Sequence, residues 1–297
     1  MTFYVRRFCQ LFLLLLGVYA LTIQLLAAET TSQKGLLWKI EKLGVEPSYL
    51  LGTIHSEDPR ITQLPPIIEQ HFTQARSVTL EILLNFSNAM SSLTSLYLKS
   101  PQSLDKLIDK EDYTQIVETL REHGMPEEAV KRLKPWATMM LISMPKSKSG
   151  EFLDLLLYQN AQKLKKPVYG LETTKEQEQV FESLSINEQI ILLKETLKYL
   201  KDMPTIFDEM HKLYLERDLT AILAFSNDYM RTDEHQVLVD KFMKRLVDDR
   251  NLRMLERMQA RLKEGNAFIA VGALHLPGDK GLLKLLETRG YHVSPIY

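Results

Sequence analysis

Apolar residues fall into two kinds of pattern along this chain. Short apolar runs bounded by turn residues predict strands at LLWKIE (36–41), SYLLGTI (48–54) and SVTLEILL (77–84). The first two flank KLGVEP, a turn-rich connection that predicts a hairpin. LPPIIEQHFTQAR, before the third run, has helical character, with prolines at its start where a missing N–H does no harm. From about 87 to 165 the apolar spacing becomes helical, with a stop at Gly124 and an all-round apolar stretch, PWATMMLISMP, that predicts a buried helix. FLDLLLYQNAQKLKK adds another amphipathic stretch. KPVYGLE (166–172) reads as a strand again. TTKEQEQVF then supplies a capping box, with Thr173 or Thr174 followed three residues later by Glu176 or Gln177. Helical spacing continues to about 263, interrupted near Pro204 and at NDYMRTDEH. The remaining segment predicts a strand (267–272), a helix (about 280–288) and a last strand (291–296).

Two of these segments echo each other. YLLGTIH and FIAVGALH are each an apolar strand running into Gly-x-x-His, followed by a proline-containing loop, a helix and another strand. The fold class predicted is α/β: a mixed sheet built from two related strand–GxxH–helix–strand halves, with a helical insertion. Residues 29–297 form one domain, with 87–165 as a helical subdomain. Equivalent units would set His55 and His275 on the same edge of one sheet.

The N-terminus stands apart. Arg6 and Arg7 precede an apolar stretch from Phe8 to Ala28, and small Ala27 and Ala28 lead into polar Glu29. That is the layout of a signal peptide over residues 1–28, and it predicts export to a periplasmic or secreted location. The alternative is an uncleaved anchor over 8–28, because about 20 apolar residues can span a bilayer. Membrane contact is expected only through this segment, if it is retained. Cys9, the only cysteine, lies within it. A mature domain would therefore carry no disulfide, cysteine nucleophile or cysteine-type zinc site. The 37 basic and 38 acidic residues leave a formal charge of -1, which gives no footprint for nucleic acid.

Candidate chemistry gathers at strand ends, where open α/β sheets bind ligands. His55 and His275 follow two strands, and Glu81 and Glu172 end two others. Gly52 and Gly272, three residues before the histidines, would permit a sharp turn or a close approach to a bound cofactor. Each residue also has a plainer role. A strand-end histidine can bond a loop carbonyl, Glu81 can pair with a neighbouring cation, and Glu172 can favour the next helix's N-terminus. His71, His123, His211 and His235 lie in helical or loop stretches with no matched partner, and His292 alternates with Tyr291 and Val293 in the last strand, a structural position. Two imidazoles and one or two carboxylates can hold a divalent metal with a position open for water, and a spare glutamate can act as general base. A metal-free His–Glu pair is equally physical. H-E-x-x-H and G-x-S-x-G are absent, which argues against a zincin or a serine hydrolase of the elbow type.

The segments LLWKIEKLGVEPSYLLGTIHSEDPRITQLP, KPWATMML, KKPVYGLETTKEQ, DDRNLRMLERM and AFIAVGALHLPGDKGLLKLLETRGYHV, in this order, resemble the TraB/GumN family. That family is related to the Tiki proteases and more distantly to erythromycin esterase-like and ChaN-like proteins. The resemblance spans about residues 36–297. It implies a metalloprotease-like activity with a divalent ion such as manganese or cobalt; zinc is the further option on chemical grounds. It also implies that Gly52/His55 and Gly272/His275 are the paired motifs, Glu81 and Glu172 the acidic positions, and Arg250 with Asn251 an "RN" pair. Arg250 there could clamp a carboxylate or a polarised carbonyl oxygen.

The reading that follows is an exported metal-dependent hydrolase acting on a peptide or small molecule. His55, His275 and Glu81 or Glu172 would hold the metal, and Glu81, Glu172 and Arg250 would do the chemistry. The alternative, suggested by the ChaN-like relatives, is a periplasmic binding or accessory protein for a haem-like ligand.

Overall fold

A computed structural model describes residues 33–83 and 93–297. The expected signal segment, the last residue of the run 77–84 and the start of the helical block at 87 lie outside the described residues. β1 (Leu37–Lys42) and β2 (Val45–Thr53) form the hairpin, in antiparallel register with Leu37 opposite Leu51 and Trp38 opposite Leu50. The connection is tighter than KLGVEP suggests. Val45 already pairs with Lys42, leaving Leu43 and Gly44, and Gly44 takes the positive φ of +79° that the turn requires.

The sheet has the strand order β4-β3-β5-β2-β1-β6. It adds β3 (Ser77–Leu80), β4 (Val168–Gly170), β5 (Ala267–Gly272) and β6 (His292–Pro295) to the hairpin. β4, β3, β5 and β2 run parallel, β1 is antiparallel to β2, and β6 is antiparallel to β1. The sheet is therefore mixed, as expected. Its central strand β5 is an unbroken apolar run buried on both faces, the pattern a covered parallel strand requires.

The two halves leave the central pair β2/β5 in opposite directions. β2 crosses β5 through α1 (Pro66–Gln74) to reach β3, and β5 crosses β2 and β1 through α11 (Leu282–Thr288) to reach β6. Right-handed crossovers in opposite directions cover opposite faces. On the α1 face, His71 stacks on Tyr49 at 4.0 Å and Phe72 meets Phe268 edge-on at 5.3 Å. The other face carries α11 and α10 (Asp249–Glu264).

The remaining α-helices of more than one turn are α2 (Lys110–Glu122), α3 (Pro135–Ile142), α4 (Leu153–Lys163), α5 (Thr174–Glu182), α6 (Ile186–Lys198), α7 (Met203–Leu215), α8 (Leu219–Tyr229) and α9 (Gln236–Met243). α2 and α3 build a second core around Ile116, Leu120 and Trp136, completed by Leu193 and Leu197 of α6. α4 instead sends Leu153, Leu157 and Ala161 into the core of the sheet. The helical block thus ends by returning to the strands, and that return sets residues 152–154 above the sheet's edge.

Candidate active site

The carboxyl ends of β4, β3, β5 and β2 share one edge because these strands are parallel. His55, Glu81, Glu172 and His275 all follow those ends. What each side chain does there differs.

The two glutamates stand side by side. The ladder continues one step past the strands, with Leu171 N–H donating to Leu80 O at 2.9 Å and Glu172 N–H to Glu81 O at 2.7 Å. Two adjacent carboxylates at a buried rim need a cation between them. Arg250, the second residue of α10, supplies it. Its Nη2 lies 2.5 Å from Glu81 Oε2 and its Nε 2.8 Å from Glu172 Oε2. Arg253, one turn on, donates to Glu172 Oε1 at 2.6 Å, so both oxygens of Glu172 are held by arginines. Gln177 Nε2 donates to Glu81 Oε2 at 3.0 Å and Glu172 Oε2 at 3.4 Å. Gln177 is placed by the start of α5, where Thr173 and Glu176 form the expected capping box. Burial disfavours charge on Glu81, but His275, Arg250 and the Gly272 N–H outweigh it and hold its carboxyl below the ordinary value. The clamp expected of Arg250 closes on the site's own carboxylates.

His275 is buried, 6% exposed, because the chain after Gly272 turns at once into a short 3-10 helix (Ala273–His275). Its Nδ1 lies 2.7 Å from Asn251 Oδ1, while Asn251 Nδ2 donates to Lys280 O at 2.8 Å. The amide is thereby oriented with its oxygen toward the ring. Nδ1 carries the proton and Nε2 presents a lone pair. Nε2 faces Glu81 Oε1 at 3.7 Å. Burial, with Arg250 assisting against the pull of Glu81, pushes the imidazole down to about 4, so it is neutral at pH 7. Gly272 makes room for this pairing. Its N–H donates to Glu81 Oε1 at 2.7 Å, and a Cβ there would sit 3.3 Å from the same oxygen.

The first motif behaves differently. Thr53 is paired with Gly272 and Gly52 with Val271, so the two motifs are offset by one residue. Side chains alternate faces along a strand. Gly52 therefore faces away from the face on which Gly272 meets Glu81. A Cβ on Gly52 would lie 3.2 Å from Ala273 Cα and from Leu276 Cδ2, so Gly52 lets the second motif's turn pack on β2. The two glycines admit neighbouring protein atoms. After Thr53 the chain runs on without a turn, and His55 emerges exposed, its ring on that of Phe152 with centroids 3.8 Å apart. Partial burial by this contact outweighs the charge of Glu57 and lowers its pKa.

Among the described residues, no three of the four predicted metal ligands offer donor atoms within 4.8 Å of one another. His275 Nε2 and Glu81 Oε1 form a facing donor pair, Glu172 is occupied by arginines, and His55 points elsewhere. The donor chemistry of that pair fits a divalent ion, whose bonds to nitrogen and oxygen run about 2.0–2.2 Å. A separate group does gather three donors, Glu195, Glu234 and His235, at the α6 surface. There Glu195 already pairs with Lys198 at 2.7 Å.

Three contributors were not visible as candidates in the sequence: Asp154, Gln177 and Arg253. Asp154, in the first turn of α4, accepts from Thr53 Oγ1 at 2.9 Å. Thr53 and Gly272 share a rung of the β2/β5 ladder, so Asp154 and Glu81 are tied to that same rung. Burial first, and the charge of Glu81 second, raise Asp154 to about 6. A lone acid inside the apolar run FLDLLLY was the available signal.

Comparison with known proteins adds to this geometry. Human metalloprotease TIKI1 is 26% identical over 310 aligned positions, covering 87% of this chain and 61% of its own length. Metalloprotease TIKI2 of Xenopus tropicalis is likewise 26% identical, with 87% and 59% covered. The chain thus spans about three fifths of the length of these relatives. The uncharacterized protein YbaP of Escherichia coli (strain K12) is 23% identical, with 80% of this chain and 87% of YbaP covered. No solved structure matches. The profile of one family matches residues 36–295, nearly everything from the hairpin to the last strand, and the chain belongs to that family, the TraB/PrgY/gumN family.

Proposed function

We propose that this chain is an exported, metal-dependent hydrolase acting on peptide-like amide bonds at the carboxyl edge of its sheet. The observation that carries the reading is the pair His275 Nε2 and Glu81 Oε1. Two lone-pair donors face each other across 3.7 Å with the imidazole neutral, a pair that can share a divalent cation. His275 and Glu81 would hold a divalent ion, with manganese, cobalt and zinc as the candidates. Such an ion, when bound, polarises a carbonyl and makes a water nucleophilic near neutral pH. Arg250 keeps Glu81 ionised and oriented, and Asn251 fixes the tautomer of His275. Glu172 anchors Arg250 and Arg253. Proton transfer to a leaving amine falls to Asp154, whose carboxyl titrates near neutrality on the same rung. The relatives named as metalloproteases support the reaction class.

The test is divalent-ion content and cleavage of a peptide library by the purified protein, with His275→Ala and Glu81→Gln beside it. The wild type should bind one ion and cleave, and both variants should lose both properties. A wild type that binds no ion, or variants that match it, would refute the proposal.

A further inference from the structure

His55 repeats the motif of His275 yet lies in a different setting. The stretch 53–57 is laced along 147–154 in antiparallel order by three contacts. Thr53 Oγ1 donates to Asp154 Oδ1 at 2.9 Å. The His55 ring lies on Phe152, with centroids 3.8 Å apart. Glu57 receives the N–H groups of Lys148, Ser149 and Gly150 at 2.8, 2.7 and 3.1 Å, with the hydroxyls of Ser147 and Ser149 at 2.5 and 3.1 Å. Each step of two residues outward on one stretch is matched by a step backward on the other. His55 sits at the centre of this lacing, exposed to solvent, and belongs to no set of three donors within 4.8 Å among the described residues.

We propose that Phe152 is a positioning residue that holds His55 at the outer rim of the site as a substrate-facing group, leaving metal binding to His275 and Glu81. The word "substrate" rests on the hydrolase reading above. Thr53 and Glu57 fasten the chain at the two ends of the lacing, so a swing of the ring about its side-chain bonds has to break the contact with Phe152. Held this way, the imidazole offers an incoming peptide a ring face and nitrogen atoms at the edge where the strands end.

The experiment compares Phe152→Ala, Phe152→Tyr, His55→Ala and His275→Ala in the full chain. Mn2+ stoichiometry is read by equilibrium dialysis, and imidazole resonances by NMR on metal-free protein. KM and kcat are measured on one aromatic-containing peptide taken from the library. In the wild type the His55 ring protons should be displaced by the Phe152 ring current. Phe152→Ala should abolish that displacement and Phe152→Tyr should keep it. An aromatic contact of ordinary strength predicts a KM raised up to about tenfold in Phe152→Ala, with kcat changed less. Mn2+ binding should survive in His55→Ala and vanish in His275→Ala. Loss of the ion in His55→Ala, or a His55 spectrum indifferent to Phe152→Ala, would overturn the inference. A wild type that binds no Mn2+ defeats the hydrolase reading alone, because the metal-free spectrum still decides whether Phe152 holds His55.

Discussion

Replacing Asp154 with asparagine should stabilise this protein at pH 8 and hardly at all at pH 4. The carboxyl is raised from 3.8 to about 6 by burial and, second, by the charge of Glu81. Between those two values the folded protein keeps a proton that the unfolded chain has released. The contribution of Asp154 to stability is therefore fully present below 3.8 and lost as pH rises through about 6. At about 1.4 kcal/mol per pKa unit, the ionised carboxylate burdens the fold by roughly 3 kcal/mol at pH 8. Asparagine keeps the shape and can still accept from Thr53 Oγ1, but it never ionises. Asp154→Asn should gain roughly 3 kcal/mol at pH 8 and less than about 1 kcal/mol at pH 4. Urea unfolding of wild type and variant at both pH values measures the difference. The Glu81→Gln background should reduce the gain, because it removes the second cause. A gain that is absent at pH 8, or equal at the two pH values, would refute the reasoning. The same variant should lose peptide turnover if Asp154 is the proton carrier, which would make it a case where stability and activity trade against each other.

Other outcomes follow from the same contacts. Arg250→Ala removes the cation that Glu81 and Glu172 share and leaves Arg253 on Glu172 alone, so Glu81 loses its arginine and unfolding free energy should fall by about 3–5 kcal/mol in urea titrations at pH 7. Gly272→Ala introduces a Cβ 3.3 Å from Glu81 Oε1 without backbone strain, so divalent-ion affinity should fall more than thermal stability does. Asn251→Leu releases the tautomer of His275, and ion affinity measured by calorimetry should weaken about 10- to 100-fold. Thr173→Ala removes one arm of the capping box and should lower stability by about 1 kcal/mol.

Where one pattern dominates, the chain can be read directly. β5 runs over the expected residues 267–272, because a short apolar run between turn residues has few other uses. The capping box at Thr173 and Glu176 is equally local and was equally readable. The strand is shorter than the apolar run 77–84 suggests. The strand itself ends at Leu80, and Glu81, the charge within that run, follows it at once. The common edge of His55 and His275 followed from the repeated motif, but their separate settings did not. Those depend on the one-residue offset between β2 and β5 and on a turn that forms after Gly272 and not after Gly52. Asp154 stayed hidden because an acid in a helix's first turn ordinarily serves the helix dipole. Only the return of α4 to the sheet gives it Thr53 as a partner. The second arginine on Glu172 was hidden likewise, since arginines spaced along a helix read as a solvated face.

The one-residue offset between the two motifs has a consequence for how such a chain can diversify. A duplicated unit usually inherits its copy's constraints, so two equivalent histidines would have to change together. Here the pleat turns equal spacing into opposite orientations, and each copy answers to different neighbours. The inner histidine is bonded to Asn251 and faces Glu81, whereas the outer one lies on Phe152 and feels the charge of Glu57. The surroundings of the outer copy can then change without disturbing the contacts of the inner one. A single-residue deletion within β2 ahead of Gly52 would erase that independence by bringing both motifs onto one face.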